Sequence, residues 1–406
     1  MFKQILFYKM ASYLKLFETH TQYETFIGGG GDTPFVKPNV SYCTEENEVH
    51  YNPFSWADEY LTFVALEDGT FTFAPSVGNV ISYSIDNGDN WIEGNSVELT
   101  KDSKVLWRGE MTPTRYNGVG TFSSTGRFNV QGNVMSLLFG FDFKGQTDLT
   151  GKNYAFWGLF SSNSNLVNVQ NLSLSATTLA DSCYFSMFEG CTSLVNAPTL
   201  PATTLAYGCY QYMFEGCTKL VNAPELPATT LADYCYQYMF NGCTSLTTAP
   251  TLPATTLAEN CYASMFEGCT KLVNAPELPA TTLVDYCYVS MFNGCTSLTT
   301  APELPATTLV DWCYGDMFYG CTSLETAPEL PATTLAYYCY YEMFYGCTKL
   351  NYIKCLVTKI SASNCLSDWV SDVASTGTFV KAASMTSWTT GTSGIPDGWT
   401  VQDVTV

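Results

Sequence analysis

Histidine and arginine are scarce in this chain of 406 residues, and acidic residues are abundant. There are two histidines, His20 and His50, and three arginines, against 37 Asp and Glu residues and a formal net charge of -20. Such a charge repels nucleic-acid phosphates and anionic lipid surfaces, so no basic groove and no nucleic-acid partner are expected. No run of about 18 apolar residues occurs, so the sequence predicts no membrane insertion.

Catalytic signatures are also sparse. Both histidines lie in the first 50 residues, and no Gly-rich phosphate loop or metal-ligand spacing is present. The acidic residues leave open a pair of carboxylates that meet in space, as in glycosidases. We therefore expect a protein that is not an enzyme, with no catalytic residue, no metal site and no cofactor.

The dominant feature is a tandem repeat in the second half of the chain. A unit of 26 residues cannot bury its own apolar face, so neighbouring copies are expected to stack and share one core. This predicts an elongated solenoid with a long lateral surface. The period is set by eight cysteines: Cys183, Cys209, Cys235, Cys261, Cys287, Cys313, Cys339 and Cys365.

The cysteine count is explained by repetition rather than by disulfide pairing. Of 17 cysteines, fourteen are two repeat positions copied seven times, the second position running from Cys191 to Cys347. Adjacent rungs of a ladder lie about 4.8 Å apart, whereas the Cβ atoms of a disulfide lie about 3.8 Å apart. We predict buried free thiols. A zinc site is not favoured, because the two positions are separated by eight residues without a histidine.

One clear copy of the repeat runs from Leu226 to Thr251. Its four-residue spacing of Cys235, Met239 and Cys243 predicts a short helical or 3₁₀ segment ended by Gly242. The stretch 246–250 predicts one short parallel strand that ends or bulges at its proline. Seven positions of the copy recur and should form inward ladders: Leu231, Cys235, Tyr236, Met239, Phe240, Cys243 and Leu246.

The segment Met239–Leu246 reads Met-Phe-x-Gly-Cys-Thr-x-Leu. It resembles the leucine-rich repeats of bacterial surface antigens, the BspA-like class, over about residues 153–369. The present repeat departs from that class by a second proline and a slightly longer period. The resemblance implies a leucine-rich-repeat solenoid that serves adhesion.

Changes in amino-acid composition and in hydrophobic pattern along the chain predict four segments. Residues 1–55 form an N-terminal anchoring arm, with a helix over Tyr13–Phe26, and residues 56–145 form a small antiparallel β-sandwich (Ig-like) spacer domain. Residues 146–369 form the capped solenoid and residues 370–406 a C-terminal capping tail, in which Phe379, Trp388 and Trp399 cover the last rung. The predicted fold class is mixed α/β and β: a repeat solenoid, preceded by the β-sandwich and an extended arm.

The β region carries one Asp-box pattern, from Ser84 to Trp91. A single copy cannot be a propeller. We interpret it as a turn in which Asp86 accepts backbone hydrogen bonds and Trp91 packs beneath, in preference to a sugar-cleaving or calcium role.

Copies of the repeat differ from one another at few positions, and these flank the first cysteine or precede the glycine. If they project to one face, they form an aromatic, acidic strip suited to recognising glycan or protein surfaces. The alternative is that the tyrosines only cover an edge of the repeat. The candidate binding residues are Tyr207, Tyr212, Tyr234, Tyr238, Tyr286, Trp312, Tyr319, Tyr337, Tyr338, Tyr341 and Tyr345.

The amino-acid sequence of residues 11–26 and 38–52 resembles that of the N-terminal region of virion fibre or appendage proteins from crAss-like phages of gut Bacteroidales. This resemblance implies a virion protein whose residues 1–55 dock on other virion proteins and whose solenoid contacts a host surface glycan or protein. Two alternatives are a bacterial cell-surface BspA-like adhesin and a purely architectural decoration protein. Fibres are often trimeric, so a homotrimer stays open, although no coiled-coil heptad enforces one.

Overall fold

The computed structural model describes residues 41–45, 48–52 and 56–404, and it divides the chain into two units, Met1–Ser55 and Trp56–Val406. In the first unit, β1 (Ser41–Glu45) and β2 (Glu48–Asn52) form an antiparallel hairpin. The predicted helix over Tyr13–Phe26 lies outside the described residues. Within the described part of the chain, no helix is long and apolar enough to cross a membrane.

Two facing sheets make up the β-rich region of the second unit. The larger sheet has the strand order β11-β10-β3-β8-β5-β6, in which β11 is Leu166–Ser173, and the smaller one has the order β7-β4-β9. Alternating residues such as Phe63, Trp107 and Phe122 point inward and are almost fully buried. The predicted sandwich-like β region is therefore present. Its strands are β3 (Leu61–Ala65), β4 (Gly69–Pro75), β5 (Ile81–Ser84), β6 (Ile92–Glu93), β7 (Ser96–Leu99), β8 (Lys104–Gly109), β9 (Gly120–Ser124) and β10 (Phe128–Asn133).

The β region also covers the first rung of the repeats. After the single helical turn α1 (Ser136–Phe139), β11 (Leu166–Ser173) pairs in parallel with β10. The ring of Phe160 lies 5.6 Å from that of Phe122 at an interplanar angle of 18°. One apolar core thus runs from the sheets into the repeats. The predicted boundary at residue 145 stays a prediction, because the division of the chain lies at Ser55.

Consecutive repeats are joined by backbone hydrogen bonds at every second residue. The N–H of Tyr236 donates to the carbonyl of Cys261 at 3.1 Å, and the N–H of Phe240 donates to that of Met265 at 2.9 Å. The N–H of Met239, between them, donates back to Tyr236 at 3.1 Å. In the segment 234–243, the N–H groups therefore alternate between closing a local turn and connecting to the next rung. We call residues 153–369 the repeat stack.

The predicted helical segment around Met239 is wrong, because the backbone forms a chain of turns instead. Tyr234, Tyr238 and Gly242 have φ of 60°, 56° and 69°. The local hydrogen bonds of residues 235–243 are all i→i-3, and a left-handed residue at every fourth position redirects the chain before a run of i→i-4 bonds can form. The short helical or 3₁₀ segment expected from four-residue spacing is thus replaced by separate turns, whose carbonyls accept hydrogen bonds from N–H groups of the preceding rung.

The predicted strand in each repeat is formed only where proline is missing. Internal repeats show single-residue parallel bridges, such as Asn222 with Thr248. Pro250 and Pro253 follow closely and cannot donate to a ladder. The terminal copies lack these prolines, and there the same region becomes β11 and β12 (Tyr352–Cys355).

The tail continues the stack and then closes it. Strands β12, β13 (Thr378–Ala382) and β14 (Thr400–Val404) form a parallel sheet in which Tyr352 pairs with Thr378, again 26 residues on. Trp369 is fully buried and packs against the rings of Phe379 and Trp388 at 6.2 and 6.1 Å. Phe379 and Trp388 of the tail therefore pack against Trp369, whereas the Trp399 side chain donates a hydrogen bond to the carbonyl of Ala374 at 2.7 Å, and the capping role of the tail stays a prediction.

The inward ladders and the free thiols are confirmed as well. The sixteen cysteines from Cys183 to Cys365 are all free and buried. Phe240 stacks on Phe266 with 5.7 Å between ring centroids and an interplanar angle of 8°. Of the seven predicted inward positions, Leu231 alone is only partly buried, because it lies at the edge of the core.

Candidate binding surface

The positions that vary between repeats form one edge of the stack, which we call the variable edge. It comprises five positions per repeat, those of Asp233, Tyr234, Gln237, Tyr238 and Asn241, taken over the seven full repeats from residue 181 to residue 345. Twelve of these 35 positions are aromatic, ten are Asp or Glu, and none is Lys, Arg or His. The lysines of the same repeats, such as Lys219 and Lys271, occupy another position.

Two of the five positions have a left-handed backbone in every repeat. At the position of Tyr234, the chain itself also uses Gly208 and Asn260, which adopt this conformation at the lowest cost. Nevertheless Trp312 and Tyr338 stand there with φ of 57° and 53°. Bulky residues in this region of φ are unusual, so the backbone does not explain the choice of these aromatic residues.

The predicted tyrosines of the early repeats come together in two pairs. The rings of Tyr212 and Tyr238 are stacked, with centroids 4.9 Å apart and planes within 5°. Those of Tyr207 and Tyr234 lie 5.4 Å apart in a tilted arrangement. The stacked rings of Tyr212 and Tyr238 therefore cover part of each other's faces, whereas the tilted rings of Tyr207 and Tyr234 meet at an angle of 53°.

The next repeat carries no aromatic residue on the variable edge and divides the strip. Its positions are occupied by Glu259, Asn260, Ala263, Ser264 and Glu267, and the three middle ones are buried. The Asn260 side chain hydrogen-bonds to Tyr234. The eleven predicted residues therefore form an early group and a later group rather than one continuous surface.

The later group is the denser of the two. Trp312 stacks on Tyr338 with 4.3 Å between ring centroids and 5° between planes, and on Tyr286 at 6.1 Å. Tyr341 and Tyr337 pack against Tyr338 at 5.1 and 4.3 Å. The structure thus brings five of the predicted residues into one cluster, in which Tyr337 is 45% exposed.

Two carboxyl groups lie between this cluster and a further stacked pair. Tyr319 and Tyr345 stack at 4.8 Å with nearly parallel planes, and Asp316 and Glu342 occupy the adjacent position on the same two rungs. Burial, then the charges of Glu342 and Glu267, raise the pKa of Asp316 to about 7. Hydrogen bonding to Glu342 is the main reason that the pKa of Tyr341 is raised to about 12.

Other carboxylates of the variable edge have a structural partner. Asp233 accepts a hydrogen bond from the backbone N–H of Glu259 at 3.0 Å, and Asp311 accepts one from the N–H of Tyr337 at 3.2 Å. These side chains bind the next rung and satisfy an N–H group that the turns leave free. They are therefore explained by the fold without a ligand.

Sequence reasoning missed an extension of the early group toward the β region. Trp157 stacks on Phe185 with 3.6 Å between centroids, and Phe185 contacts Tyr212 at 5.2 Å. Tyr154 and the half-exposed Tyr116 pack on Trp157. Phe185 occupies a variable position and could have been found from the register. The other three lie before the regular repeats and had no such signal.

The Asp box is a structural turn, as interpreted. Asp86 accepts hydrogen bonds from the backbone N–H of Asn90 at 2.9 Å and from its side chain at 2.6 Å, which hold the pKa of Asp86 at about 2. Trp91 packs against Tyr60 at 4.9 Å. Both groups are thus satisfied by their own neighbourhood.

The β region also has an open pocket of about 560 Å³ beside Arg108, Glu110 and Asn79. The Arg108 guanidinium carbon lies 3.5 Å from the ring centroid of Phe141 and 4.5 Å from that of Trp91. Its charge is therefore engaged by aromatic faces. Among the described residues, no cluster of three His, Cys, Asp or Glu side chains is placed to hold a metal ion.

Comparison with known proteins agrees with the repeat geometry. The BspA-type leucine-rich repeat region, described with six copies, matches residues 159–298 and 262–368, which together span slightly more than half of the chain. No curated protein and no solved structure matched the chain. Repeat regions of this type serve surface adhesion or protein interaction and are typically non-catalytic. The chain therefore belongs to the BspA-type leucine-rich repeat family.

Proposed function

We propose that this protein is a non-enzymatic adhesive component of a phage virion, in which the repeat stack is a solenoid that binds a host surface. Residues 1–55 attach it to other virion proteins. The β region, which lies between these residues and the repeats in the sequence, is a spacer. Membership of the repeat family supports the binding role. The placement on a virion rests on the resemblance of the sequence of residues 11–26 and 38–52 to virion fibre or appendage proteins.

The observation that carries the binding role is the contrast between a constant core and a variable edge. Tyr236 and its counterparts recur in all seven full repeats. Two residues earlier, the position of Tyr234 holds Gly, Asn, Ser, Tyr or Trp. Large aromatic residues at Trp312 and Tyr338 adopt a backbone conformation that favours Gly or Asn. A surface that accepts such a cost, and stays partly exposed, is typical of a contact surface.

Two other functions have weaker support. A bacterial cell-surface adhesin fits the family equally well, but it does not account for the resemblance of residues 11–26 and 38–52 to virion proteins. An architectural decoration protein would bury the variable edge against another virion subunit.

Binding to cells and to particles separates these possibilities. Full-length protein and a truncated protein of residues 56–406 are mixed with Bacteroidales cells and with phage particles that lack this protein. The proposal predicts cell binding by both proteins and particle binding by the full-length protein alone. Particle binding without cell binding would contradict adhesion and leave the architectural role. Cell binding without particle binding would favour the cell-surface adhesin.

A further inference from the structure

The variable edge of the two repeats that contain Trp312 and Tyr338 combines aromatic area with carboxylates that form no ion pair with another described residue. Between described residues, ion pairs join Arg127 to Glu67, Lys354 to Glu329 and Lys381 to Asp403, none of them on the variable edge. Over the seven full repeats this edge has no basic residue at any position. Its negative charge is therefore left for a partner to neutralise.

The geometry of the rings favours a protein over a neutral sugar as that partner. A sugar ring stacks on a free aromatic face. Trp312 and Tyr338 instead stack on each other, as do Tyr319 and Tyr345, so each pair covers part of its own faces. The stacking does not use the phenol oxygens or the neighbouring carboxylates, and these partly exposed side chains keep them for a partner. Tyrosine and tryptophan presented in this way are characteristic of protein interfaces.

The carboxylates are arranged so that a cation would relieve an existing repulsion. Asp316 and Glu342 stand on successive rungs, and Glu267 raises the pKa of Asp316 together with Glu342. On the same edge, Glu215 has a raised pKa because of burial and then the charges of Glu189 and Glu267. A partner's ammonium or guanidinium group would convert this like-charge repulsion into attraction.

We propose that the variable edge around Trp312, Asp316, Tyr338 and Glu342 binds a lysine- or arginine-bearing segment of a host surface protein. The inference rests on the proposed adhesive function and specifies its partner. The aromatic residues provide the buried area, and the carboxylates select basic side chains and reject acidic ones. Association should weaken as salt is added, because the attraction is between charges exposed to solvent.

The repeats themselves provide the substitutions for the test. Asn260 and Ser264 occupy the positions of Trp312 and Asp316 two repeats earlier, with φ of 53° at both. The aromatic variant is Trp312→Asn with Tyr338→Asn, and the charge variant is Asp316→Ser with Glu342→Ser. A control variant, Glu277→Gln with Glu303→Gln, removes the same number of charges at exposed positions away from the variable edge. Thermal melting verifies that each variant folds.

The probe is a fluorescent 15-residue peptide of repeated Lys-Gly-Ser, with a Glu-Gly-Ser peptide for comparison, measured by polarisation at physiological salt. Full-length protein should bind the lysine peptide and not the glutamate peptide. The aromatic and charge variants should each bind at least tenfold more weakly, and the control variant within about twofold of the parent. Equal loss in the charge and control variants would show a diffuse effect of net charge and overturn the proposal.

Two further outcomes also overturn it. One is the absence of peptide binding by the parent protein. The other is binding of neutral oligosaccharides that the aromatic variant loses while no protein binds the peptide, which would make a sugar the occupant. If cells still bind the parent protein in either case, only the partner assigned here is wrong. If cells do not bind it either, the adhesive function itself fails.

Discussion

The thiol of Cys243 donates a hydrogen bond to the backbone carbonyl of Phe214, 3.1 Å away and 29 residues earlier in the chain. The same contact recurs between Cys217 and Phe188 and between Cys269 and Phe240. The second cysteine of each repeat therefore fills the core and gives a carbonyl of the preceding rung a second donor, beside the backbone N–H of Cys217 that already binds Phe214 at 3.1 Å. This explains why the position is constant without invoking disulfides or metal.

Thiol reactivity tests this arrangement. Burial raises the pKa of the Cys295 thiol to about 12, and it also raises the pKa values of the other thiols in the stack. Since the thiolate is the reactive form, a thiol reagent at pH 8 should label at most one of the 17 cysteines in the native protein, Cys43 being outside the sixteen buried ones. All 17 should react in guanidinium chloride. Rapid labelling of several native thiols would contradict the buried ladders.

Neighbouring tyrosines should differ sharply in their effect on stability. Tyr236 is 1% exposed and stacks in the core, so Tyr236→Ala should lower the free energy of unfolding by about 3 to 5 kcal/mol. Tyr234→Asn should change it by less than about 1 kcal/mol, because lost contacts are offset by a residue better suited to positive φ. Denaturant titration of both variants provides the comparison. Similar losses would mean that Tyr234 belongs to the core.

Asp316 should make stability depend on pH. Its pKa is about 7 in the folded protein, above its ordinary value of 3.8, so the folded state holds the proton that the unfolded chain releases. The contribution of this carboxyl group to the free energy of unfolding is therefore fully present below about pH 4 and is lost as the pH rises through 7. Asp316→Asn should therefore gain roughly 1 to 2 kcal/mol relative to the parent between pH 4 and pH 8.

The control for this pH dependence is Glu303→Gln, which removes an exposed carboxylate from another position of the repeat. Its difference from the parent should be nearly constant with pH. An Asp316→Asn difference that is also constant, or that shrinks toward pH 8, would show that Asp316 titrates normally.

The 26-residue period predicts which deletions the stack tolerates. Removing residues 234–259 joins Asp233 to Asn260 and restores every hydrogen bond between rungs, because the same register follows on both sides. The protein should melt cooperatively with only modestly reduced stability. Removing 24 residues, 234–257, places the charged Glu259 at the position of Cys235 and the small Ala263 at that of Met239, so the core ladders are interrupted. That variant should fail to protect its thiols, and tolerance of both deletions would refute the register.

The sequence predicted the period and the inward ladders because repetition exposes which residues are constant. It failed on the backbone around Met239, where four-residue spacing is shared by a helix and by successive turns with a left-handed residue at Tyr238. Hydrogen bonds from Tyr236 to Cys261 decide between them, and such contacts between rungs leave no local pattern. The packing of Phe160 against Phe122 was hidden for the same reason.

The candidate surface was predicted in part. Variation between repeats identified Trp312 and Tyr338 as surface residues, but not that they stack on each other or that Asn260 separates two groups. Rung-to-rung neighbours can be derived from the period. Side-chain stacking depends on rotamers and on the left-handed backbone, which the residue types at these positions do not reveal.

The central claim, that the variable edge is the adhesive surface, is tested most directly by cell binding of one variant. This variant carries Trp312→Asn, Asp316→Ser, Tyr338→Asn and Glu342→Ser and is compared with the parent and with the Glu277→Gln, Glu303→Gln control on Bacteroidales cells. We predict at least a tenfold loss of binding in the fourfold variant and none in the control. Undiminished binding by a folded fourfold variant would place adhesion elsewhere and contradict the account.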